Sequence, residues 1–201
     1  LSFAILFIGC GANITYIDIT GPAMGTSYTI RLVPKRGSNP NTDLIKSKID
    51  STLESINDQM STYVINSDIS LFNKLGENAA IVISSDFKKV IMRSIYWSEK
   101  SNGAFDITSL PLTNIWREGK KDREYKEKWE PPSDLDIAIA KDNVGFNKIK
   151  LSHNSLIKAK KGQQIDVNAI AKGWGVDHLF SLVNSFGYNN YMVEIGGEVR
   201  V

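Results

Sequence analysis

The chain contains few of the residue types on which many catalytic and metal sites depend. Its 201 residues include one cysteine, Cys10, and two histidines, His153 and His178. One cysteine excludes a disulfide within the chain and any site built on several cysteines. Two isolated histidines without a neighbouring cysteine do not make a zinc site. Any bound metal is therefore expected to be a hard cation held by oxygen ligands.

Two familiar catalytic signatures are also missing. No Gly-x-x-x-x-Gly-Lys-Ser/Thr sequence occurs, which excludes a common P-loop, and no nucleophile elbow supports a Ser-His-Asp triad. The net charge is only +2, and the basic residues of segment 117–130 are interleaved with acidic ones. Such a segment is typical of a solvated mixed-charge face. Nucleic acid is therefore not an expected partner.

The apolar run near the N-terminus, residues 3–8, is far too short to span a bilayer. It is followed by Gly9-Cys10-Gly11, and the whole resembles the apolar region and cleavage box of a bacterial lipoprotein signal. We therefore predict that residues 1–20 are the remnant of such a signal with a linker, and that Cys10 carries the lipid. The alternative is a chance hydrophobic N-terminus that is buried in the fold.

Apolar periodicity predicts a mixture of helices and strands. Strands are expected at Thr26–Val33, 80–83 (short and buried) and Tyr191–Ile195, with a turn at Gly21-Pro22 and a hairpin around 152–154. Helices are expected from the N-cap Thr42 for about 18 residues, from Ser84 or Ser85 to Lys100, after the cap Ser133, and over Ala169–Phe186 with Gly187 as C-cap. Hairpins beside crossovers favour the α+β class. Residues 198–201 look like a strand cut in the middle, so we expect a domain over 21–201 whose C-terminal part is missing.

Four polar or glycine-bearing segments stand out from this periodicity. In the first, 21–26, small residues permit close approach of a ligand, and the sulfur of Met24 can lie against an aromatic ring. In the second, 61–63, Tyr63 at a helix end can stack on a planar ligand. The alternatives are a turn whose methionine fills a gap in the core, and a helix terminator with a half-buried tyrosine.

The third segment is Gly103-Ala104-Phe105-Asp106-Ile107-Thr108, whose backbone amides and polar side chains could bind a nucleotide. The alternative is an ordinary helix-to-strand loop with an Asx turn. The fourth, 165–173, places Asp166 after an apolar run and before a helix start, Lys172 and two glycines. Helix N-termini offer unpaired N–H groups and partial positive charge to phosphates. Here the alternative is an Asn-capped helix with a solvated lysine and Asp166 at a strand end.

In this order the segments resemble the ApbE family, the FAD:protein FMN transferases, over about residues 21–201. The motifs that carry the resemblance are Ala-Met-Gly-Thr at 23–26, Ser-Thr-Tyr at 61–63, Ser67 with Phe72-Asn73, residues 103–108, Pro111-Leu112, 165–173 and Gly-Gly-Glu at 196–198. The resemblance implies Mg²⁺-dependent transfer of FMN from FAD to a threonine or serine of a target flavoprotein, with release of AMP. Alternatives are an FAD pyrophosphatase, which forms FMN and AMP, and a lipid-anchored FAD-binding protein without turnover.

The resemblance also assigns residues. Those implied to contact FAD are Met24, Tyr63, Ala104, Phe105, Asp106, Asp166 and Lys172, and the backbone carbonyl of Ala169 is implied to bind Mg²⁺. The family's other Mg²⁺ ligands, an aspartate and a nearby threonine or serine, would follow residue 201, and no catalytic base is assigned. Position 168 is Asn and 169 is Ala where many members carry two glycines. Many members are periplasmic lipoproteins, which predicts a lipid anchor at the periplasmic face of the bacterial inner membrane.

Overall fold

The computed structural model describes residues 15–121 and 131–201. The α+β class is confirmed. The strands are β1 Ile17–Ala23, β2 Thr26–Leu32, β3 Ala80–Val82, β4 Ile149–Ser152, β5 Ser155–Lys158, β6 Tyr191–Ile195 and β7 Glu198–Arg200. The α-helices are α1 Thr42–Met60, α2 Asp68–Lys74, α3 Ser85–Lys100, α4 Leu110–Lys121, α5 Asp134–Asp142 and α6 Asn168–Ser185.

The strands form two antiparallel sheets, one ordered β1-β2-β6-β7 and the other β3-β5-β4. One face of the larger sheet packs on α1 and α6. Its contribution to that core includes Tyr28, Ile30 and Val193, which are completely buried, as are Ile49 of α1 and Leu179 of α6. Burial of these side chains holds the first strands, close in sequence to the N-terminus, against a helix that begins about 150 residues later.

A second buried cluster joins the end of α1 to α2, α3, the smaller sheet and the segment that leads into α6. It includes Phe72, Phe87, Leu156, Ile165 and Val167, all completely buried. The two clusters meet at Met24, which packs against both. The tip of the β1–β2 hairpin is therefore located where both cores end.

Several predicted helix boundaries are confirmed. Ser84 caps α3 by accepting a hydrogen bond from the N–H of Phe87 at 2.9 Å. Ser133 caps α5 in a capping box with Asp136. Gly187 follows α6 with a φ of +83°. The cap of α1 lies one residue before the predicted Thr42: Asn41 accepts from the N–H of Leu44 at 3.0 Å.

Other predictions are wrong. Gly21 and Pro22 lie inside β1, not in a turn, and β1 begins at Ile17, within the range assigned to the linker. Pro22 is tolerated because β1 is an edge strand. The predicted buried strand at 80–83 is the exposed edge strand β3, whose Val82 is 75% exposed. Neither α2 nor α4 is predicted; Pro111 lies in the first turn of α4, where no N–H is needed.

Two predictions fall outside the described residues. They are the lipoprotein signal with Cys10, and most of the mixed-charge segment 117–130. Within the described residues, no helix combines the length and the apolar character that crossing a membrane requires.

Candidate functional site

A cavity of about 490 Å³ lies where the β1–β2 hairpin tip, the loop after α1 and the first turns of α6 meet. Three of the seven predicted ligand-contacting residues line it: Met24, Tyr63 and Lys172. The remaining lining residues are Gly25, Thr26, Asn168, Ala171 and Gly196. The cavity thus joins parts of the chain that are distant in sequence, and the three predicted residues come from three different elements.

Met24 adopts an unusual backbone conformation at the hairpin tip. Ala23 pairs with Thr26 across a two-residue turn, and Met24 has a φ of +48° followed by Gly25 at +79°. Positive φ at both central residues gives the twist that suits a two-residue hairpin, but an unbranched L-residue seldom occupies the first position. Such a conformation costs on the order of 1–3 kcal/mol, and residues of this kind cluster at ligand sites.

Lys172 and Tyr63 present unpartnered groups to the cavity. Lys172 is half-buried and lies one turn into α6, and its Nζ forms no hydrogen bond or ion pair with the described side chains or backbone. Tyr63 is 76% exposed, and within the same residues its hydroxyl has no partner either. A cation and an aromatic ring that the fold does not use are available to an anionic, planar ligand.

Asp166 lies beside this cavity and not in its lining. Its Oδ1 accepts a hydrogen bond from the N–H of Asn168 at 2.7 Å, and its Oδ2 accepts from the Asn168 side-chain amide at 3.2 Å. The carboxylate therefore occupies the start of α6, which its charge also stabilises. The N–H of Ile170 is bonded to the Val167 carbonyl at 2.9 Å. At this helix start the N–H groups of Asn168, Ile170 and Ala171 are therefore bonded within the protein, the last to the Val167 carbonyl at 2.8 Å.

Asp106 is also engaged within the protein. Its Oδ1 accepts hydrogen bonds from the N–H and the hydroxyl of Thr108, at 2.8 and 2.6 Å, in an Asx turn. Its Oδ2 accepts from the N–H of Phe146 at 3.0 Å. The Asx-turn alternative is confirmed, although helix α4 follows instead of a strand. Ala104 is exposed, Phe105 packs against the second core, and neither residue lines the 490 Å³ cavity.

Asp106 and Asp166 do not line the cavity, but hydrogen bonds connect their loops to the start of α6, which does. The N–H of Asp166 donates to the Ile107 carbonyl at 2.7 Å, which joins the third predicted segment to the fourth. The side chain of Asn73 forms two further bonds, at 2.8 and 2.9 Å, with the N–H and carbonyl of Ile165. These contacts join the third predicted segment and the end of α2 to the start of α6, while Met24 and Tyr63 of the first two segments meet α6 at the cavity.

The described residues do not assemble a magnesium site by themselves. Among them there is no group of three or more His, Cys, Asp or Glu side chains that could hold a metal ion. Ala169, the predicted carbonyl ligand, is the second residue of α6 and lines a separate cavity of about 640 Å³ with Trp174 and Arg93.

Some residues of the site were not among the predicted ligand contacts. Asn168 is expected only as a helix cap or as a departure from the family pattern; in the structure it lines the cavity and pairs with Asp166. Gly196 and Gly197 form the β6–β7 turn with φ of +55° and +99°. A Cβ on Gly196 would lie 2.6 Å from Cγ2 of Thr26, so this wall of the cavity requires glycine. The Asp-x-Asn spacing was a usable signal for Asn168, and the Ala-Met-Gly-Thr motif at 23–26 was one for Thr26.

A buried cation supports the second core. The ammonium of Lys158 is fully buried and donates to the carbonyls of Asn73 at 2.8 Å and Phe72 at 3.3 Å, at the C-terminus of α2. Burial lowers the pKa of this ammonium from its ordinary value. The carbonyl oxygens and the negative end of the helix partly offset the cost of removing the charge from water.

The fold agrees with the comparison with known proteins: the chain belongs to the ApbE family, whose model matches residues 24–201. The FAD:protein FMN transferase of Vibrio cholerae is 33% identical over 201 residues, which is all of this chain and 59% of that protein. That of Haemophilus influenzae is 33% identical over 205 residues, covering 100% of this chain and 58% of the relative.

Solved structures show the same similarity. The flavin transferase ApbE from Vibrio cholerae superposes with a TM-score of 0.84 at 33% identity, covering 93% of this chain and 59% of that one. The apo flavinyl transferase ApbE of Pseudomonas stutzeri superposes with a TM-score of 0.82 at 30% identity, covering 92% and 58%. The chain thus spans about three fifths of the length of the relatives that it matches.

Proposed function

We propose that the protein transfers FMN from FAD to a threonine or serine hydroxyl of a target flavoprotein and releases AMP. The family membership and the names of the relatives support this proposal. The observation that carries it is the cavity in which Met24, Tyr63 and the unpartnered Lys172 meet. This combination suits a ligand with a flat ring system and a linked pair of phosphates.

In the proposed step, the acceptor hydroxyl oxygen attacks the phosphorus of the FMN half of FAD. A new phosphoester bond forms, the bond from that phosphorus to the bridging oxygen breaks, AMP leaves with that oxygen, and the hydroxyl proton is released. Reactions of this kind depend on charge neutralisation and in-line positioning more than on covalent catalysis. Holding the acceptor in line is worth roughly 7–11 kcal/mol in well-oriented reactions.

Within the chain, each cavity residue has a separate task in this proposal. Lys172 neutralises phosphate charge, and the ring of Tyr63 stacks on a planar group of FAD. The sulfur of Met24 lies against one of the two ring systems of FAD, the flavin or the adenine. Asp106 and Asp166 act indirectly, because both carboxylates are bonded to their own loops. They set the positions of the backbone around the ligand.

Three further parts of the proposal rest on the family resemblance and on the N-terminal sequence. Mg²⁺ would supply additional charge neutralisation, with carboxylate ligands from outside the described residues. The lipid on Cys10 would anchor the protein at the periplasmic face of the bacterial inner membrane. The target flavoprotein would present its hydroxyl at the mouth of the 490 Å³ cavity.

The test uses the full-length protein with FAD and Mg²⁺, with and without a flavoprotein acceptor that carries the threonine. The control acceptor has that threonine replaced by valine. Transfer predicts flavin fluorescence that stays with the denatured acceptor, AMP in equal amount, and neither signal with the valine acceptor. Chelation of Mg²⁺ should abolish both.

Other outcomes identify the alternatives. Free FMN and AMP in every tube, without labelled acceptor, would show that water is the acceptor and that the protein is an FAD pyrophosphatase. Stoichiometric retention of FAD without AMP release would show a flavin-binding protein without turnover. Failure of FAD to bind with or without Mg²⁺ would overturn the proposal.

A further inference from the structure

Helix α2 connects two parts of the candidate site. At its start, Ser67 accepts from the N–H of Ser70 at 3.2 Å and donates to the carbonyl of Ser61 at 2.7 Å, in the loop that carries Tyr63. At its end, Asn73 reaches the segment before Asp166. Seven residues of helix span about 10 Å, so α2 sets the distance between the Tyr63 loop and the start of α6.

At the end of α2, the side-chain amide of Asn73 pairs with the backbone of Ile165 as a neighbouring β-strand would, through one donor and one acceptor. Asn73 accepts from the N–H of Ile165 through Oδ1 at 2.8 Å and donates to the carbonyl of the same residue through Nδ2 at 2.9 Å. The two residues are 92 positions apart. Ile165 is fully buried and belongs to no strand, so its backbone groups need these partners.

Both ends of this contact are themselves held. The carbonyl of Asn73 accepts from the buried ammonium of Lys158 at 2.8 Å, which fixes the backbone from which the amide extends. On the other side, the N–H of Asp166 is bonded to the Ile107 carbonyl. The Asp166 carboxylate in turn accepts a hydrogen bond from the N–H of Asn168. Asn168 lines the cavity and precedes Lys172 by four residues.

Building on the proposed function, we propose that Asn73 is a positioning residue for FAD: its side-chain amide sets the place of Asp166 and of the first turn of α6 relative to Tyr63. Asn73 does not need to touch the ligand for this. Its effect passes through the Ile165 backbone to Asp166 and from there to Asn168 and Lys172. Loss of the amide should therefore weaken FAD binding through the same route as loss of the Asp166 carboxylate.

The test measures FAD affinity of the full-length protein as a double-mutant cycle between Asn73→Ala and Asp166→Ala. Each single variant is expected to weaken binding about tenfold, and the double variant about tenfold as well, instead of the hundredfold expected for independent sites. Asn73→Asp has the same size but lacks the donor to the Ile165 carbonyl, so it should also lose affinity. If packing alone mattered, it would bind like wild type.

Val183→Ala is the matched control, because it truncates a fully buried side chain of α6 in the first core cluster. It should lower the melting temperature without changing FAD affinity at a temperature where the protein is folded. Wild-type affinity in folded Asn73→Ala and Asn73→Asp, or additive effects in the cycle, would overturn the proposal.

A second measurement does not depend on FAD. Hydrogen exchange at the amides of Ile165 and Asp166 should accelerate selectively in Asn73→Ala and not in Val183→Ala. If wild-type protein binds no FAD, the proposed function fails, and selective exchange would still support the role of Asn73 in holding this segment. Unchanged exchange at both amides would overturn that role whatever the flavin measurement gives.

Discussion

The two sides of the candidate site differ in how their charged groups are used. The carboxylates of Asp106 and Asp166 together accept five hydrogen bonds from the protein, three and two respectively. On the other side, Lys172 and the Tyr63 hydroxyl have no partners among the residues that the structure describes. Asp106 and Asp166, the carboxylate side, therefore stabilise the loops. Lys172 and Tyr63, the cation side, remain available to a ligand.

This difference separates groups whose loss should lower stability, with or without an indirect effect on binding, from groups whose loss should affect binding alone. A group that is fully bonded within the protein contributes to folding, and its removal leaves donors without acceptors. A group without internal partners contributes little to folding, and its removal is expected to matter only when a ligand is present. The predictions that follow test this separation, in order of decreasing expected effect.

The largest effect is expected for Asp106→Ala. It removes the acceptor of the Thr108 N–H and hydroxyl and of the Phe146 N–H, so the free energy of unfolding should fall by about 2–4 kcal/mol. Chemical denaturation measures this. Glu77→Ala, which removes a carboxylate at an exposed loop position, is the control and should stay within about 0.5 kcal/mol of wild type.

Asp106→Asn should lose less stability than Asp106→Ala, because its amide oxygen still accepts from Thr108. If Asp106→Ala were as stable as wild type but bound FAD weakly, Asp106 would belong to the ligand-binding side. The distinction between the two sides would then be wrong at this residue.

The next effect is expected for Lys172→Ala. FAD affinity should fall about tenfold to a hundredfold, or about 1.4–2.8 kcal/mol, because the phosphates lose a cation. The free energy of unfolding should change by no more than about 0.5 kcal/mol. Fluorescence titration with FAD and chemical denaturation check the two parts.

Lys161→Ala, at an exposed position outside the 490 Å³ cavity, removes the same charge and should leave FAD affinity unchanged. An equal loss in both variants would mean that net charge, and not the cavity, decides binding. A large loss of stability in Lys172→Ala would place this lysine with the structural groups.

The smallest effect is expected for Tyr63→Ala. Loss of ring stacking should weaken FAD binding by about 0.5–1.5 kcal/mol, while Tyr63→Phe keeps the ring and most of the affinity. Ile65→Ala is the control, since Ile65 is 73% exposed in the same loop and does not line the cavity. Equal affinities for Tyr63→Ala and Ile65→Ala would remove Tyr63 from the ligand site. Isothermal titration with FAD makes the comparison.

Much of the fold was predictable because its signals are local. The apolar spacing of α1, the serine caps of α3 and α5 and the glycine after α6 each depend on residues within one element. Helix α2 lacked such a signal, because its seven residues are too few to show two full turns of periodicity. Its stability depends on Ser67 at one end and the distant Lys158 at the other.

The site was predictable only in part, because its hydrogen bonds join residues that are distant in sequence. Residue types and motif order pointed to Met24, Tyr63 and Lys172, but the sequence does not state which carboxylates are already bonded. The partner of Asp106 at Phe146 is 40 positions away, and that of Asn73 at Ile165 is 92 positions away. Such long-range pairings follow from the packing of the two cores and not from any local pattern.

Gly175 of α6 leaves little space for a side chain between the helix and the β1–β2 hairpin. A methyl group at this position would lie 3.3 Å from the sulfur of Met24 and 3.2 Å from Cδ1 of Ile195. Because Met24 lines the cavity and Gly175 does not, added volume at position 175 would displace the Met24 side chain and so change the shape of the cavity. Alanine scanning confined to the residues that line the cavity would not test position 175.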